Sequence, residues 1–143
     1  MPTAEQIVTV VREWVLKADN DLKAAAHTLK LGRDCPTDTV CFHAQQCVEK
    51  YLKALLVAEN RDFPKTHDIR LLTEMIPPAR RPELTPIERR NLTNYVAAAR
   101  YPGWPAIPLK EAREAVRIAR RVRAEARRAL PRAALRLPRP KRR

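Results

Sequence analysis

Apolar residues between Ile7 and Leu29 recur at spacings of three and four, a period typical of one face of an α-helix. Thr3 is a suitable N-cap for this helix, and Gly32 is a suitable residue to end it. The pattern predicts a first helix of about 29 residues, or roughly 43 Å, a length typical of a helical bundle. The stripe consists of Ile7, Val10, Val11, Trp14, Ala18, Leu22, Ala25 and Leu29.

A second helix is predicted to begin near Thr37 or Asp38, after a corner around Pro36, and to end near Asn60. Its apolar positions form a band wider than one face, which indicates a helix that is contacted on several sides and lies centrally in a bundle. These positions are Val40, Cys41, Ala44, Cys47, Val48, Tyr51, Leu52, Leu55 and Leu56.

Three further helices are predicted between the proline-rich corners of the chain. Thr66 is a candidate N-cap for a short helix over residues 67–76, and a Thr-Pro pair opens a fourth helix over 85–99. The fifth helix covers 108–130. Together these segments predict an all-α protein, an up-and-down bundle of about five helices framed by three long ones.

Positive charge is concentrated towards the C-terminal end of the chain. The net charge is +13, and the segment from Leu109 to Arg143, with fourteen Lys and Arg against three Glu, carries +11 of it. We therefore expect a helical bundle over residues 1–130 and a basic Pro- and Arg-rich tail over 131–143. The asymmetry suits nucleic acid, an acidic protein or anionic lipid as partner, and equally suits a solvated Arg-rich helix.

The composition disfavours several other classes of protein. Two glycines and few aromatic residues argue against a β fold. No stretch approaches the roughly 20 apolar residues that span a membrane, and the start of the chain lacks the features of a signal peptide. Three cysteines without a CxxC pair favour packing residues over a zinc site or disulfides. We predict a cytoplasmic protein that needs neither a metal nor a cofactor.

Three segments carry a resemblance to a known family. They are CFHAQQCVEKYLKALL at 41–56, FPKTHD at 63–68 and ARYP at 99–102, and ADNDL at 18–22 is similar as well. In this order they resemble the HEPN domain family (higher eukaryotes and prokaryotes nucleotide-binding), especially its branch paired with small nucleotidyltransferases. The resemblance covers about residues 8–125.

This resemblance implies a bundle of four or five helices, frequently a homodimer, with a nucleotidyltransferase-family protein as partner, often in a toxin–antitoxin module. Many HEPN proteins are metal-independent RNases, whose signature is an Arg and a His a few residues apart at the junction before the last long helix. At that junction Arg100 is followed by no His. Arg61 and His67 have a similar spacing, but they lie between the second and third helices, and short patterns arise easily by chance.

We therefore predict a HEPN module that binds nucleotide or RNA phosphates and pairs with a nucleotidyltransferase. The alternative is a metal-independent endoribonuclease toxin that uses Arg100 with a relocated His43 or His67. A third possibility is a structural dimer without any nucleic-acid role.

Candidate phosphate ligands lie along the second helix. His43, Gln46 and Lys50 can share one face, and Lys53 extends the same row. Imidazole, amide and ammonium groups on one stripe can hold a phosphate and a base edge. The other interpretation is a polar row that contacts a neighbouring helix or a dimer partner. His67 is predicted at the start of the third helix, where it either meets an anion or caps the helix.

The end of the fourth helix and the polar side of the fifth provide further candidates. Arg100 can bind a phosphate bidentately, and Tyr101 or Trp104 can stack on a base or simply close the end of the bundle. The arginines opposite the apolar stripe of the fifth helix form a predicted nucleic-acid or partner surface, whose binding would be salt-sensitive. They are Arg113, Arg117, Arg120, Arg121, Arg127 and Arg128.

Overall fold

Helices form the regular structure of residues 1–136, the part of the chain that the computed structural model describes. Three are long: α1 (Ala4–Leu29), α2 (Thr37–Ala58) and α5 (Leu109–Ala129). The others are α3 (Ile69–Met75), α4 (Pro86–Arg100) and α6 (Arg132–Leu135), with 3₁₀ turns at Gly32–Asp34 and Pro78–Arg80. The predicted all-α bundle with three framing helices is confirmed. None of these helices combines the length and the apolar character that crossing a membrane requires.

Capping boxes fix the first turns of α1 and α4. The Thr3 hydroxyl accepts a hydrogen bond from the Gln6 backbone N–H at 3.1 Å, and Gln6 Oε1 accepts one from the Thr3 backbone N–H at 2.8 Å. Thr85 and Glu88 exchange the same two bonds at the start of α4, where Pro86 occupies the first helical position. Both starting points agree with the sequence prediction.

The third helix begins later than predicted. Asp68 is its N-cap, since Asp68 Oδ1 accepts a hydrogen bond from the Leu71 backbone N–H at 3.2 Å. Thr66 instead accepts the Asp68 N–H at 3.0 Å. The prediction of Thr66 as the cap was wrong because both side chains suit an N-cap, and local sequence does not rank them. His67 consequently lies in the loop before α3 and outside its first turn.

α2 is covered by other helices on several sides. It packs against α1, α3, α4 and α5, and thirteen of its residues are buried. The buried set includes consecutive residues such as Tyr51 and Leu52, which project about 100° apart around the helix. Three buried members, Gln45, Glu49 and Lys53, are polar. Because buried polar groups are costly unless they are paired, these three require partners inside the bundle.

Cys41 and Cys47 belong to this core. Both are fully buried, and burial raises the pKa of the Cys41 thiol to about 12. Burial likewise raises the pKa of the Cys47 thiol far above its ordinary value. Both thiols therefore stay neutral at physiological pH and act as small apolar packing groups.

Small side chains form the packing face of α5. Ala112, Ala115, Ala119 and Ala126 are at most 1% exposed, so the helix can approach α2 closely.

A short helix, α6, follows Pro131 and packs on α1. Ala134 is 1% exposed, and the Arg12 guanidinium donates a hydrogen bond from Nη2 to the Ala133 carbonyl at 2.7 Å. The sequence pattern does not predict this turn. The rest of the predicted tail, residues 137–143, lies outside the described residues, so the division at residue 130 stays a prediction.

Replacing Leu52 by alanine tests whether α2 forms the centre of the core. Leu52 is fully buried, so Leu52→Ala should lower the free energy of unfolding by about 2–5 kcal/mol, as measured by urea denaturation. Leu31 is 61% exposed, and Leu31→Ala should change the same quantity by less than about 0.5 kcal/mol. Similar losses in both variants would contradict the central position of α2.

Candidate functional site

Asp21 of α1 binds two of the predicted phosphate ligands. His43 Nδ1 lies 2.9 Å from Asp21 Oδ1, and Lys50 Nζ donates a hydrogen bond to Asp21 Oδ2 at 2.6 Å. The Asp21 side chain is 12% exposed, so this contact between α1 and α2 is largely removed from water. The structure thus brings His43 and Lys50 together, with a carboxylate between them.

Asp19, which precedes Asp21 on α1, forms a second polar contact. Its carboxylate accepts hydrogen bonds from the Tyr51 hydroxyl and, at 2.9 Å, from Arg123 Nε. Arg127 Nη1 lies 3.8 Å from Asp19 Oδ2. Arg127, which the sequence places on the basic surface, therefore faces the partly buried Asp19 carboxylate.

These contacts change the titration of both hydrogen-bond donors. Burial, followed by the bond to Asp19, raises the pKa of the Tyr51 phenol well above its ordinary value. Burial opposes the charge of Arg123, but the Asp19 carboxylate outweighs that effect, and the pKa of the Arg123 guanidinium is raised. Both groups consequently remain donors to Asp19 at physiological pH.

Glu49 organises a third polar cluster. Its carboxylate accepts hydrogen bonds from Gln45 Nε2 at 3.0 Å and from Lys53 Nζ at 3.1 Å. His67 Nδ1 lies 2.7 Å from Glu49 Oε1, and Gln46 Nε2 donates to the Gln45 amide oxygen at 2.6 Å. The cluster supplies each of the three buried polar residues of α2 with a partner.

Lys53 is held on its other side by aromatic rings. Its ammonium lies 5.6 Å from the ring centre of Trp14 and 5.7 Å from that of Phe63, distances typical of cation–π contacts. The two rings meet edge to face with centres 6.1 Å apart. Lys53 is thus part of the bundle interior, whereas the His67 side chain is 47% exposed.

The predicted row on α2 therefore divides between two carboxylates, Asp21 and Glu49. Neither these acids nor Asp19 had a role predicted from the sequence. Their signal was present, since Asp19 and Asp21 interrupt the amphipathic pattern of α1 and Glu49 lies within the apolar band of α2. A charge within a largely buried helix predicts a paired partner elsewhere in the fold.

The turn between α4 and α5 is open to solvent. Tyr101 is 62% exposed and Trp104 is 46% exposed. Gly103 has φ +95°, a conformation that glycine adopts without steric cost. The Arg100 side chain is exposed and forms no hydrogen bond or ion pair with residues 1–136. This turn presents a cation and two aromatic rings to the surroundings.

The outer face of α5 carries exposed arginines, which we call the α5 arginine stripe. Arg117 pairs with Glu114, and Arg121 pairs with Glu88 at 2.9 Å. The remaining members form no ion pair within the described part of the chain. From first to last the stripe extends over about 22 Å of helix. Its members are Arg113, Arg117, Arg120, Arg121 and Arg128.

A groove of about 710 Å³ lies between α1, α5 and α6. Its apolar surface includes Leu16, which is 50% exposed, and its charged lining is five arginines and one lysine against Asp19 and Glu13. The cationic residues are Arg12, Lys23, Arg120, Arg123, Arg127 and Arg136. An apolar floor within a mainly positive rim suits an acidic amphipathic segment.

Substitutions at Glu49 test the pairing of the buried charges. Glu49→Ala leaves the Lys53 ammonium buried without a carboxylate, and should lower the free energy of unfolding by about 3–5 kcal/mol. In the double variant Glu49→Leu/Lys53→Met both charges are replaced by apolar groups, so most of that loss should be recovered in urea denaturation. A double variant that is no more stable than Glu49→Ala would show that the unpaired Lys53 charge does not cause the loss in the free energy of unfolding.

Comparisons with known proteins agree with this architecture. A model of the HEPN domain matches residues 11–129. The chain is also similar to TT1696 from Thermus thermophilus, whose crystal structure superposes with a TM-score of 0.68 at 27% identity, over 84% of this chain and 98% of that one. A search of curated proteins found no match. Because the domain match spans well over half of its length, this chain belongs to the HEPN domain family.

Proposed function

We propose that this HEPN-family protein binds nucleotide or RNA phosphates and works beside a small nucleotidyltransferase, in a toxin–antitoxin-like pair. Membership of the family supports a nucleotide- or RNA-related module in general. The observation that carries the binding proposal is the α5 arginine stripe. Arg113, Arg120 and Arg128 project from it without an ion pair among residues 1–136, so their charges are available to an external anion.

The stripe is a better phosphate surface than the row on α2. A phosphate at Lys50 would compete with Asp21, which accepts the Lys50 hydrogen bond at 2.6 Å. A phosphate at Lys53 would compete with the buried Glu49 carboxylate. Exposed arginines keep their donors free and can bind phosphate oxygens bidentately. We therefore assign His43, Gln46, Lys50 and Lys53 to the internal structure and assign phosphate contact to α5 and to Arg100.

Endoribonuclease activity is a second candidate function, and one observation favours it. His67 is about half-exposed, and its Nδ1 lies 2.7 Å from the almost fully buried Glu49 carboxylate. A histidine oriented by a carboxylate is the arrangement of many general bases, because the second ring nitrogen is left free to exchange a proton.

The groove between α1, α5 and α6 supports the partner proposal. We place an acidic segment of the nucleotidyltransferase there, with its apolar side on Leu16 and its carboxylates near Lys23, which lines the groove outside the α5 arginine stripe. Charge complementarity of this kind selects a partner and accelerates association. Homodimer formation and a cytoplasmic location stay predictions.

Removal of three stripe charges tests RNA binding. Arg113→Ala/Arg120→Ala/Arg128→Ala should weaken binding of a labelled single-stranded RNA in fluorescence anisotropy. Each lost phosphate contact should reduce the slope of log affinity against log salt by about 0.7, so the triple variant should lose about 2 from the magnitude of that slope.

A matched control separates local contact from overall charge. Lys17→Ala/Lys30→Ala/Arg33→Ala also removes three positive charges, but from exposed positions outside the stripe. This variant should keep the wild-type slope of log affinity against log salt. Equal losses in both triple variants, or absence of RNA binding at low salt, would contradict the proposal. With EDTA in the same samples, RNA cleavage that His67→Ala abolishes and His27→Ala, at another exposed histidine, preserves would establish the endoribonuclease instead.

Co-purification tests the partner and its place. The nucleotidyltransferase encoded in the neighbouring reading frame should co-purify with the wild-type protein and be lost from Leu16→Glu, because a carboxylate in the groove repels an acidic segment. Leu31→Glu adds the same charge at an exposed position that does not line the groove, and should retain the partner. Equal retention by both variants would place the contact elsewhere, and a neighbouring frame of another class would contradict the pairing itself.

A further inference from the structure

Two cavities open side by side on α4 and share Asn94. One, of about 320 Å³, lies between α4 and the start of α3. The other, of about 230 Å³, lies between α4 and the segment that leads into α5. Because Asn94 lines both, the two cavities are neighbours on the surface of α4.

The smaller cavity has an aromatic wall and polar groups that suit a nucleobase. Trp104 lines it and is about half-exposed, so the indole face can stack on a planar ring. Asn91 and Asn94 also line it, and they lie three residues apart on the same face of α4. Neither amide forms a side-chain hydrogen bond within residues 1–136, so each offers a donor and an acceptor to a ligand.

Glu111 adds an acceptor to the same cavity. Its Oε1 accepts the Tyr95 hydroxyl at 2.8 Å. Burial, followed by this bond to Glu111, raises the pKa of the Tyr95 phenol far above its ordinary value, so Tyr95 remains a donor and fixes the carboxylate. The second oxygen of Glu111 has no hydrogen-bond partner in the described part of the chain, and can accept an amino group.

The larger cavity is lined by arginines. Arg89 is anchored through Nε to the Leu84 carbonyl at 3.0 Å, which leaves its terminal nitrogens for a ligand. Arg90 is exposed and forms no ion pair with residues 1–136. Arg70 is the third arginine of the lining, and it pairs with Glu74 at 3.5 Å and with Asp68 at 4.0 Å. Asp68 is the single carboxylate of the lining, so Arg89 and Arg90 supply its positive charge. The balance of charge favours a phosphate.

We propose that the two cavities form one binding site for an adenine nucleotide, with the base beside Trp104 and the phosphate beside Arg90. The proposal rests on the proposed function and specifies its base. An asparagine amide binds the N6 and N7 edge of adenine bidentately, and a carboxylate accepts from an exocyclic amino group. Uracil presents a carbonyl in place of that amino group, which Glu111 would repel.

Calorimetric titration of the full chain with AMP, UMP and adenosine tests this site. AMP should bind more tightly than UMP. Trp104→Ala should weaken AMP binding about 5- to 150-fold, the range expected for loss of one stacked base. Asn94→Leu should reduce the preference for AMP over UMP about tenfold. Arg90→Ala should weaken binding of AMP and leave binding of adenosine unchanged.

Three exposed positions away from the cavities provide controls. Asn20→Leu and Arg33→Ala match Asn94→Leu and Arg90→Ala in residue type, and Leu31→Ala removes a large exposed apolar side chain as the counterpart of Trp104→Ala. Each should bind AMP as the wild type does. Equal binding of AMP and UMP by the wild type, or unchanged AMP binding by Trp104→Ala, would overturn the adenine site.

The outcome is separable from that of the RNA-binding test. Salt-dependent RNA binding through α5, without AMP binding at millimolar concentrations, would overturn this site and leave the proposed function standing. AMP binding that depends on Trp104, without salt-dependent RNA binding, would support the site and contradict RNA binding through the α5 arginine stripe.

Discussion

The polar side chains of α2 constrain the whole bundle, because neighbouring helices cover this element on several sides. A buried carboxylate is tolerated only when cations or hydrogen-bond donors surround it. Glu49 meets this requirement with Lys53, Gln45 and the His67 ring. Asp21 meets it with His43 and Lys50. These pairs fix the register of α1 and of the loop before α3 against α2, since sliding either element by one residue would leave a charge unpaired.

The same constraint determines where a ligand can bind. The cations of α2 are committed to internal carboxylates, so an anion would have to break an existing ion pair to reach them. α4 and α5 each have one solvent-exposed face, and few of the exposed arginines there have a carboxylate partner. Arg113 and Arg120 on α5, and Arg90 on α4, form no ion pair within residues 1–136. The cations of the α2 segment that resembles the family are therefore paired within the bundle, whereas α4, α5 and the turn that begins at Arg100 present exposed donors.

Sequence reasoning succeeded where the determining contacts are local. The Thr3 and Thr85 caps bond residues three positions away, so a short segment contains the whole signal. The central position of α2 was also predictable, because its apolar band is wider than one face. The partners of His43 and Lys50 were not, since Asp21 is 22 and 29 residues away in sequence. Such a pairing depends on helix packing, which periodicity does not specify.

Hydrogen bonds connect α4 to α5 at two places, and they hold the exposed faces of the two helices in a fixed orientation. At the N-terminal end, Arg121 donates to Glu88 at 2.9 Å and to the Glu83 carbonyl at 3.0 Å. Closer to the C-terminal end of α4, the Tyr95 hydroxyl donates a hydrogen bond to the Glu111 carboxylate. Burial opposes ionisation of Glu88, but the hydrogen bonds from Arg121 and the Thr85 backbone outweigh it, and the pKa of Glu88 is lowered. The hydrogen bond between Arg121 and Glu88 is thus fully present above the ordinary pKa of a glutamate carboxyl. It is lost only as the pH falls through the lowered pKa of Glu88. A nucleic acid whose backbone followed α5 would meet the α4 cavities in one orientation, so the proposed phosphate contacts on α5 and the proposed base site on α4 can act on a single strand.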